Sequence, residues 1–308
     1  MRKVLNDPAL EAQFQKEGFV KIPFMDAEKA ARLKQAFFDS LPESGGHIQP
    51  QDESFDTKAL ITYDFTFIDK NIEYKKKVFD IIRSELEPSV KKFLADYEPI
   101  IANFIRKEEH GGEVPLHQNW AFVDEDKCTS VSIWCPLVES TKENGTLQVV
   151  PGSHKRFGRH RGPMIRWELE DIKEDIISEH LVPIEASPGE AVILDDSIVH
   201  YSAINKTPGL RLTIQLILIP REFPSLHYHL DHRAKDKQVQ VYEVDHEFYM
   251  AFNPWKKPSN VIKALESYPY IERNTDLKSF RKKLYGPRFD SPQKAGLFTG
   301  ILNILKRA

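Results

Sequence analysis

From about residue 99 the apolar residues of this chain stop recurring at helical spacing and begin to alternate. The runs IIANFIR, TSVSIWCPLV, TLQVV, EAVILD and LRLTIQLILIP are short, apolar and bounded by Gly, Pro or Asp. Successive strand side chains point to opposite faces, so a period of two calls for sheets with an apolar side. Several such runs after a helical block predict an antiparallel sandwich or barrel with helices packed outside. The run at 210–220 constrains most. Leu210, Leu212, Ile214 and Leu216 fall on one face, and Arg211, Thr213 and Gln215 on the other. The run continues through Ile217, Leu218 and Ile219, which predicts a strand partly buried on both faces. A buried Arg needs an anion. Pointing into a barrel, Arg211, Thr213 and Gln215 make a pocket for a carboxylate; on an isolated strand they are a solvated face.

The first 98 residues read as mainly helical. Asp7-Pro8 caps a helix that Gly18 ends, and Asp26 opens a second with Ala30, Leu33, Phe37 and Phe38 at helical spacing. Residues 71–97 read as one or two helices, with Pro88 the expected break or new start. Residues 42–58 are polar, hold Gly45 and Gly46, and read as an entrance loop. A helical insertion is expected at 168–179, and short helices near 243–252, 259–267 and 276–284. The stretch 291–307 puts Leu297, Ile301 and Leu305 on one helical face below a Ser291 cap, to dock on this chain's own barrel or a second subunit. The expected organisation is one domain over 1–308: a helical part to about 98, a β core over 99–220 and a helical extension over 221–308.

Composition narrows the class. A net charge of −3 over 308 residues provides no basic field for nucleic acid. No run of about 18 apolar residues suits a membrane span. The N-terminus has no apolar signal core, and Cys128 and Cys135, seven apart in a predicted strand, point to opposite faces. A reducing cytoplasm is the expectation.

His117 and Asn119, two residues apart, share a strand face, and His200 sits where PGEAVILDDSIVHYS leaves a sheet, eleven residues before Arg211. Together with these, KEGFVKIPFM, PLHQNWAFVDE, NGTLQVVPGSHK and HYSAINKTPGLR appear in an order that resembles the phytanoyl-CoA dioxygenase family of non-haem Fe(II), 2-oxoglutarate-dependent oxygenases, over roughly 10 to 220. The resemblance implies an α+β fold built on a double-stranded β-helix, a jelly-roll barrel open at one end. It implies His117 and His200 as iron ligands, position 119 as the third ligand, and Arg211 as partner of the distal carboxylate of 2-oxoglutarate. It places Gln118 and Trp134 near iron and cosubstrate, with Thr213 assisting Arg211 and Asn103 facing cosubstrate or substrate. Two imidazoles and one further donor on one face of Fe(II) leave positions for 2-oxoglutarate and O2. The implied activity is oxidation, by default hydroxylation, of a small molecule.

The third ligand of that pattern is normally Asp; here it is Asn119. A neutral amide oxygen is a weaker ligand than a carboxylate. Three readings follow. Asn119 ligates and the enzyme works; the position is weakly held and an exogenous anion or substrate completes it; or the barrel binds a small anionic ligand without oxidising it. A carboxylate from Asp124, Glu125, Asp195 or Asp196 is a further source. Three other features have two readings each. His227, His229 and His232 form a metal cluster or a surface loop. The Lys- and Arg-rich stretch 154–166, within a second expected entrance loop at 154–170, recognises an anionic substrate or is solvated. Phe65 and Phe67 line the entrance or belong to the core.

Overall fold

The computed structural model describes residues 2–48, 63–231, 234–254, 256–259 and 262–286. Helix α1 (Pro8–Glu17) starts where the Asp7 side chain accepts from the amides of Ala9 and Leu10. It stops at Gly18, whose left-handed backbone (φ +82°) lets its N–H return to the Phe14 carbonyl. Strand β1 (Phe19–Pro23) follows, then α2 (Ala27–Ser40), capped by Asp26. The short β2 (Asp64–Phe65) precedes α3 (Ile72–Phe93), which runs unbroken through Pro88. The proline ring costs one backbone bond, but Val78, Phe79, Ile82, Leu86 and Val90 stay buried on one face, and that packing holds the helix together.

The core strands are β3 (Tyr97–Lys107), β4 (Val114–His117), β5 (Val131–Pro136), β6 (Gln148–Val149), β7 (Val182–Pro183), β8 (Glu190–Asp195), β9 (His200–Ser202) and β10 (Arg211–Pro220). Between β6 and β7 a 3-10 turn (Glu170–Ile172) leads into α4 (Lys173–Glu179), the expected insertion. The strands make two antiparallel sheets, a six-stranded one ordered β1-β8-β5-β10-β3-β2 and a four-stranded one ordered β4-β9-β6-β7. The sheets share an apolar layer in which Trp134, Val192 and Leu194 of the larger meet Leu147 and Val149 beside Ile184. This is the double-stranded β-helix. The outer face of the larger sheet is covered by the helices: Leu212, Ile214, Leu216 and Leu218 of β10 pack in one cluster with Leu33, Phe37 and Val78. Burial of β10 on both faces therefore has a simple cause, with helices on one side and the space between sheets on the other.

The last third departs from the helical expectation. Strands β11 (Ser225–Leu230), β12 (Gln238–Val244) and β13 (Ala264–Pro269) form a separate antiparallel sheet. Only α5 (His246–Met250) and α6 (Leu277–Tyr285) are helical there. Val239 and Val241 alternate with half-exposed or exposed residues and pack on Leu226, Tyr228 and Leu230, a period-two pattern that outranks helix propensity. The LHYHL segment is thus a buried strand and no surface loop; His232 lies outside the described residues. This sheet touches the core closely at Gly162, where any Cβ would collide with the Tyr228 carbonyl. Cys128 sits in the turn before β5 and Cys135 within it; both thiols are free and buried. Among the described residues no helix is long and apolar enough to cross a membrane. The expected helix at 291–307 and positions 49–58 of the entrance loop lie outside the described residues.

Phe104 of β3 is 1% exposed and meets the Phe37 ring edge-on at 5.3 Å, joining helix layer to sheet. Phe104→Ala should cost about 3–5 kcal/mol through lost burial and the cavity left behind, read as a shifted denaturant midpoint.

Candidate metal and cosubstrate site

The inner face of the larger sheet is organised in rows across β3, β10 and β5. Ile101, Ile217 and Ser132 stand in one row; Asn103, Gln215 and Trp134 in the next; Ile105, Thr213 and Pro136 in a third. Lys107 opposes Arg211 at the end. The register follows from alternation, so every second residue of β10 faces inward. These rows floor a cavity of about 220 Å³, into which Asn103, Trp134 and Arg211 reach from the larger sheet and His117, Asn119 and His200 from the β4–β9 side.

Arg211 is 1% exposed. Its Nη1 donates to Thr213 Oγ1 at 3.0 Å and its Nη2 to Ser202 Oγ at 3.2 Å, while Nε has no partner. Both bonds are to neutral hydroxyls. Burial pushes the guanidinium down to about 9, so it keeps its charge at neutral pH. Lys107 is also buried, and its Nζ bonds Ser202 Oγ at 2.5 Å and the Ala203 carbonyl at 2.6 Å. Burial, reinforced by the charge of Arg211, pushes this amine down to about 5, so it is neutral at pH 7. The inner end of the cavity carries one positive charge, and among the described residues no acid accepts a hydrogen bond from it. The Trp134 ring lies 5.9 Å from the guanidinium carbon. Asn103 Nδ2 donates to Gln215 Oε1 at 3.1 Å, which leaves its Oδ1 without a partner.

His117 and His200 are directly opposed on β4 and β9, with ring centroids 4.1 Å apart. His117 Nδ1 lies 2.7 Å from the Pro115 carbonyl, and His200 Nδ1 lies 2.9 Å from the Ile198 carbonyl. Each contact assigns the ring proton to Nδ1 and leaves Nε2 as a lone-pair donor. Burial lowers both imidazoles, His200 well below its usual range with His117 adding to the effect, so both are neutral. Asn119 Nδ2 donates to Asp196 Oδ1 at 2.8 Å and to Ser132 Oγ at 3.0 Å. Those bonds take the Nδ2 end of an amide that lines the same cavity as the two imidazoles, leaving Oδ1 as its other polar end. His117, His200 and Asn119 thus offer one cavity two neutral imidazoles and one amide oxygen. Among the described residues no three His, Cys, Asp or Glu come together as a metal site. The set suits Fe(II), which accepts mixed nitrogen and oxygen donors.

None of the four nearby acids takes the ligand place. Asp124 pairs with Lys127, and Glu125 with Arg161. Asp195 Oδ1 accepts from the Ser197 amide and hydroxyl. Asp196 stands behind Asn119, its carboxyl pushed up to about 7 by burial against the opposing bonds from Ser132 and Asn119.

Gln118 lines the same cavity, and its side-chain amide is hydrogen-bonded to the protein. Its Nε2 donates to the carbonyls of Phe157 and Ser197, and its Oε1 accepts from Trp167 Nε1, so its side chain ties the 154–170 loop down. The basic stretch 154–166 is likewise spent internally. Arg161 makes a two-pronged pair with Glu125 and donates through Nε to the Asn119 carbonyl at 2.7 Å. Arg159 pairs with Asp126, Arg166 with Asp171, Lys155 with Asp195, and Arg156 caps the carbonyls of Gly152 and Lys283. Phe65 and Phe67 line the cavity with Tyr63, Trp120 and Phe122. The His227 ring is packed among Trp120, Phe248 and Phe252. Ser202 and Lys107 were legible as same-face neighbours of His200 and Arg211 at spacings of two and in register, but nothing local marks either as functional.

A family model described as Phytanoyl-CoA dioxygenase (PhyH) matches residues 14–213. The chain is 28% identical over 190 residues to a phytanoyl-CoA dioxygenase domain-containing protein 1 homolog of Dictyostelium discoideum, covering 58% of this chain and 64% of that one. It is 34% identical over 122 residues to phytanoyl-CoA dioxygenase 1 of Oryza sativa subsp. japonica, covering 36% and 41%. The match thus spans less than two thirds of either relative. In fold it is similar to a non-heme alpha ketoglutarate dependent carbocyclase, SnoK from nogalamycin biosynthesis, with a TM-score of 0.52 at 16% identity, covering 71% of this chain and 86% of that one.

Arg161 and Glu125 are both nearly buried, with 7% and 6% of their side chains exposed. Arg161→Met should destabilise the fold by about 3–5 kcal/mol, because Glu125 is left buried and unpaired. Urea denaturation checks this; a solvated basic loop would lose no more than about 0.5 kcal/mol.

Proposed function

Because the chain belongs to the phytanoyl-CoA dioxygenase family, we propose that it is an Fe(II)- and 2-oxoglutarate-dependent oxygenase of a small molecule. The observation that carries this reading is a single cavity holding both a buried guanidinium with no acid partner among the described residues and two facing neutral imidazoles. The first calls for an anion and the second for a metal. One ligand that is a carboxylate at one end and a chelator at the other satisfies both.

On this reading His117, His200 and Asn119 hold the iron, and Arg211, braced by Thr213 and Ser202, holds the far carboxylate of 2-oxoglutarate. Bound iron with 2-oxoglutarate and O2 supplies the oxidant for attack on a substrate C–H bond. The protein's own work is positioning and exclusion. The carbonyls of Pro115 and Ile198 fix both imidazole tautomers. Lys107, neutral, adds a donor to Ser202 without adding a second charge. Trp134 walls one flank of the guanidinium, and Asn103 keeps an unpartnered carbonyl oxygen for cosubstrate or substrate. The aromatic wall of Tyr63, Phe65, Phe67, Trp120 and Phe122 favours an apolar body on the substrate. Hydroxylation is the default outcome of such a site. The amide at position 119 supports a second reading, a barrel that binds metal and a small anion without turnover; release of succinate separates the two.

Anaerobic titration with Fe(II) and 2-oxoglutarate should give the weak visible charge-transfer band of a chelated 2-oxo acid, absent in His200→Ala. Arg211→Ala should weaken 2-oxoglutarate binding by about 2 kcal/mol or more. Unchanged cosubstrate affinity in that variant would sink the assignment.

A further inference from the structure

We infer that Asp196 is a positioning residue that sets which end of the Asn119 amide faces the metal, an inference that rests on the function proposed above. The two ends of an Asn side chain are almost the same size and opposite in chemistry. Packing cannot tell them apart; only hydrogen-bond partners can. As a ligand, only the oxygen end has a lone pair to give. If the amide turned over, an NH2 group would face the imidazoles and the third corner would be lost.

The groups behind Asn119 prevent that. Asp196 Oδ1 accepts from Asn119 Nδ2 at 2.8 Å, and from the Ser132 hydroxyl at 2.6 Å. With its proton committed to Asp196, Ser132 Oγ can only accept from Asn119, at 3.0 Å. Both neighbours therefore present acceptors to the amide nitrogen, and a reversed amide would set its oxygen against two oxygens. Asp196 is itself held: it is fully buried, its amide donates to the Ser130 carbonyl at 3.2 Å, and it lies four residues before His200 on the same connection. The segment that delivers one ligand thus orients another. No Lys or Arg hydrogen-bonds this buried acid among the described residues, so salt-bridge formation does not account for its presence.

The test is titration of the purified 308-residue chain with Co(II), followed by its visible ligand-field bands. Asp196→Leu keeps the volume and removes the acceptor; it should weaken Co(II) binding by about 10- to 100-fold and alter the bands. Asp196→Asn, which retains a carbonyl acceptor, should stay close to wild type. In an Asn119→Ala background, Asp196→Leu should have no further effect, since nothing remains to orient. Should the Leu variant fail to fold, Asp196→Ser, too short to reach Asn119, takes its place in the same cycle. Wild-type affinity and bands in Asp196→Leu would overturn the inference. So would an equal loss with and without Asn119, which would mark a purely structural acid. Wild-type protein without His200-dependent Co(II) binding would overturn the proposed function, and this inference with it.

Discussion

A guanidinium buried with no acid bonded to it is expensive, and the rest of the site is arranged around Arg211. Removing one ion from water without a partner costs several kcal/mol after relaxation. A fold sustains that only if the burial comes from elsewhere. Here the even-numbered residues of β10 supply it, packing beneath the helices, while the odd-numbered positions carry Arg211 and Gln215 into the cavity, with Thr213 between them bonded to Arg211. Lys107 sits directly opposite on β3, and a second charge there would double the cost. It is neutral instead, and both side chains converge on the Ser202 hydroxyl, whose own proton goes to the Gly145 carbonyl at 2.7 Å. The cavity thus has one fixed positive charge awaiting one anion.

How much of this was legible depends on whether the relevant neighbour is local. Asp7, Gly18 and Asp26 act on backbone groups within a few residues, so the ends of α1 and the start of α2 were readable. The double burial of β10 showed in its own pattern, polar alternation running into an unbroken apolar stretch. Pro88 marked a possible break but could not show the buried stripe that keeps α3 continuous. The C-terminal sheet was misread because its short strands carry His, Tyr, Gln and Glu. Those become strand residues only when paired with each other, and partners such as Tyr228 and Val241 meet through register. The β12 alternation was present in the sequence, but brief enough to pass for one turn of an amphipathic helix.

The site shows the same division. His117, Asn119, His200 and Arg211 emerged from spacings of two and eleven combined with a family pattern, Trp134 from the family pattern, and Asn103 from facing inward on a strand. The partners of Gln118 were not legible, because they lie 39 to 79 positions away. The basic stretch, which left two readings open, shows a related limit. A run of cations tells nothing about which acids fold back upon it, and Glu125, Asp126 and Asp171 do. Arg161 illustrates the change of role: a candidate for gripping substrate is a strut holding the backbone of Asn119.

On the proposed reading, an amide in place of a carboxylate at position 119 has an electrostatic consequence that reaches beyond one ligand. With neutral imidazoles and a neutral amide, the protein's first ring of donors offers a divalent cation no charge compensation. The nearest acid, Asp196, is one hydrogen bond further out and is already shared between Asn119 and Ser132. Arg211 adds a positive charge to the same cavity. Metal alone therefore meets a site that is electrostatically unfavourable, and an anionic cosubstrate alone meets only Arg211. Bound together, each offsets the charge the other finds uncompensated, and by linkage each raises the affinity of the other by the same factor. An Asp at position 119 would weaken that dependence by supplying part of the neutralisation from the protein. On the proposed reading, the amide makes retention of iron conditional on the anion that Arg211 recognises, and Asp196, by holding the amide oxygen forward, keeps that conditional site assembled while it is empty of both.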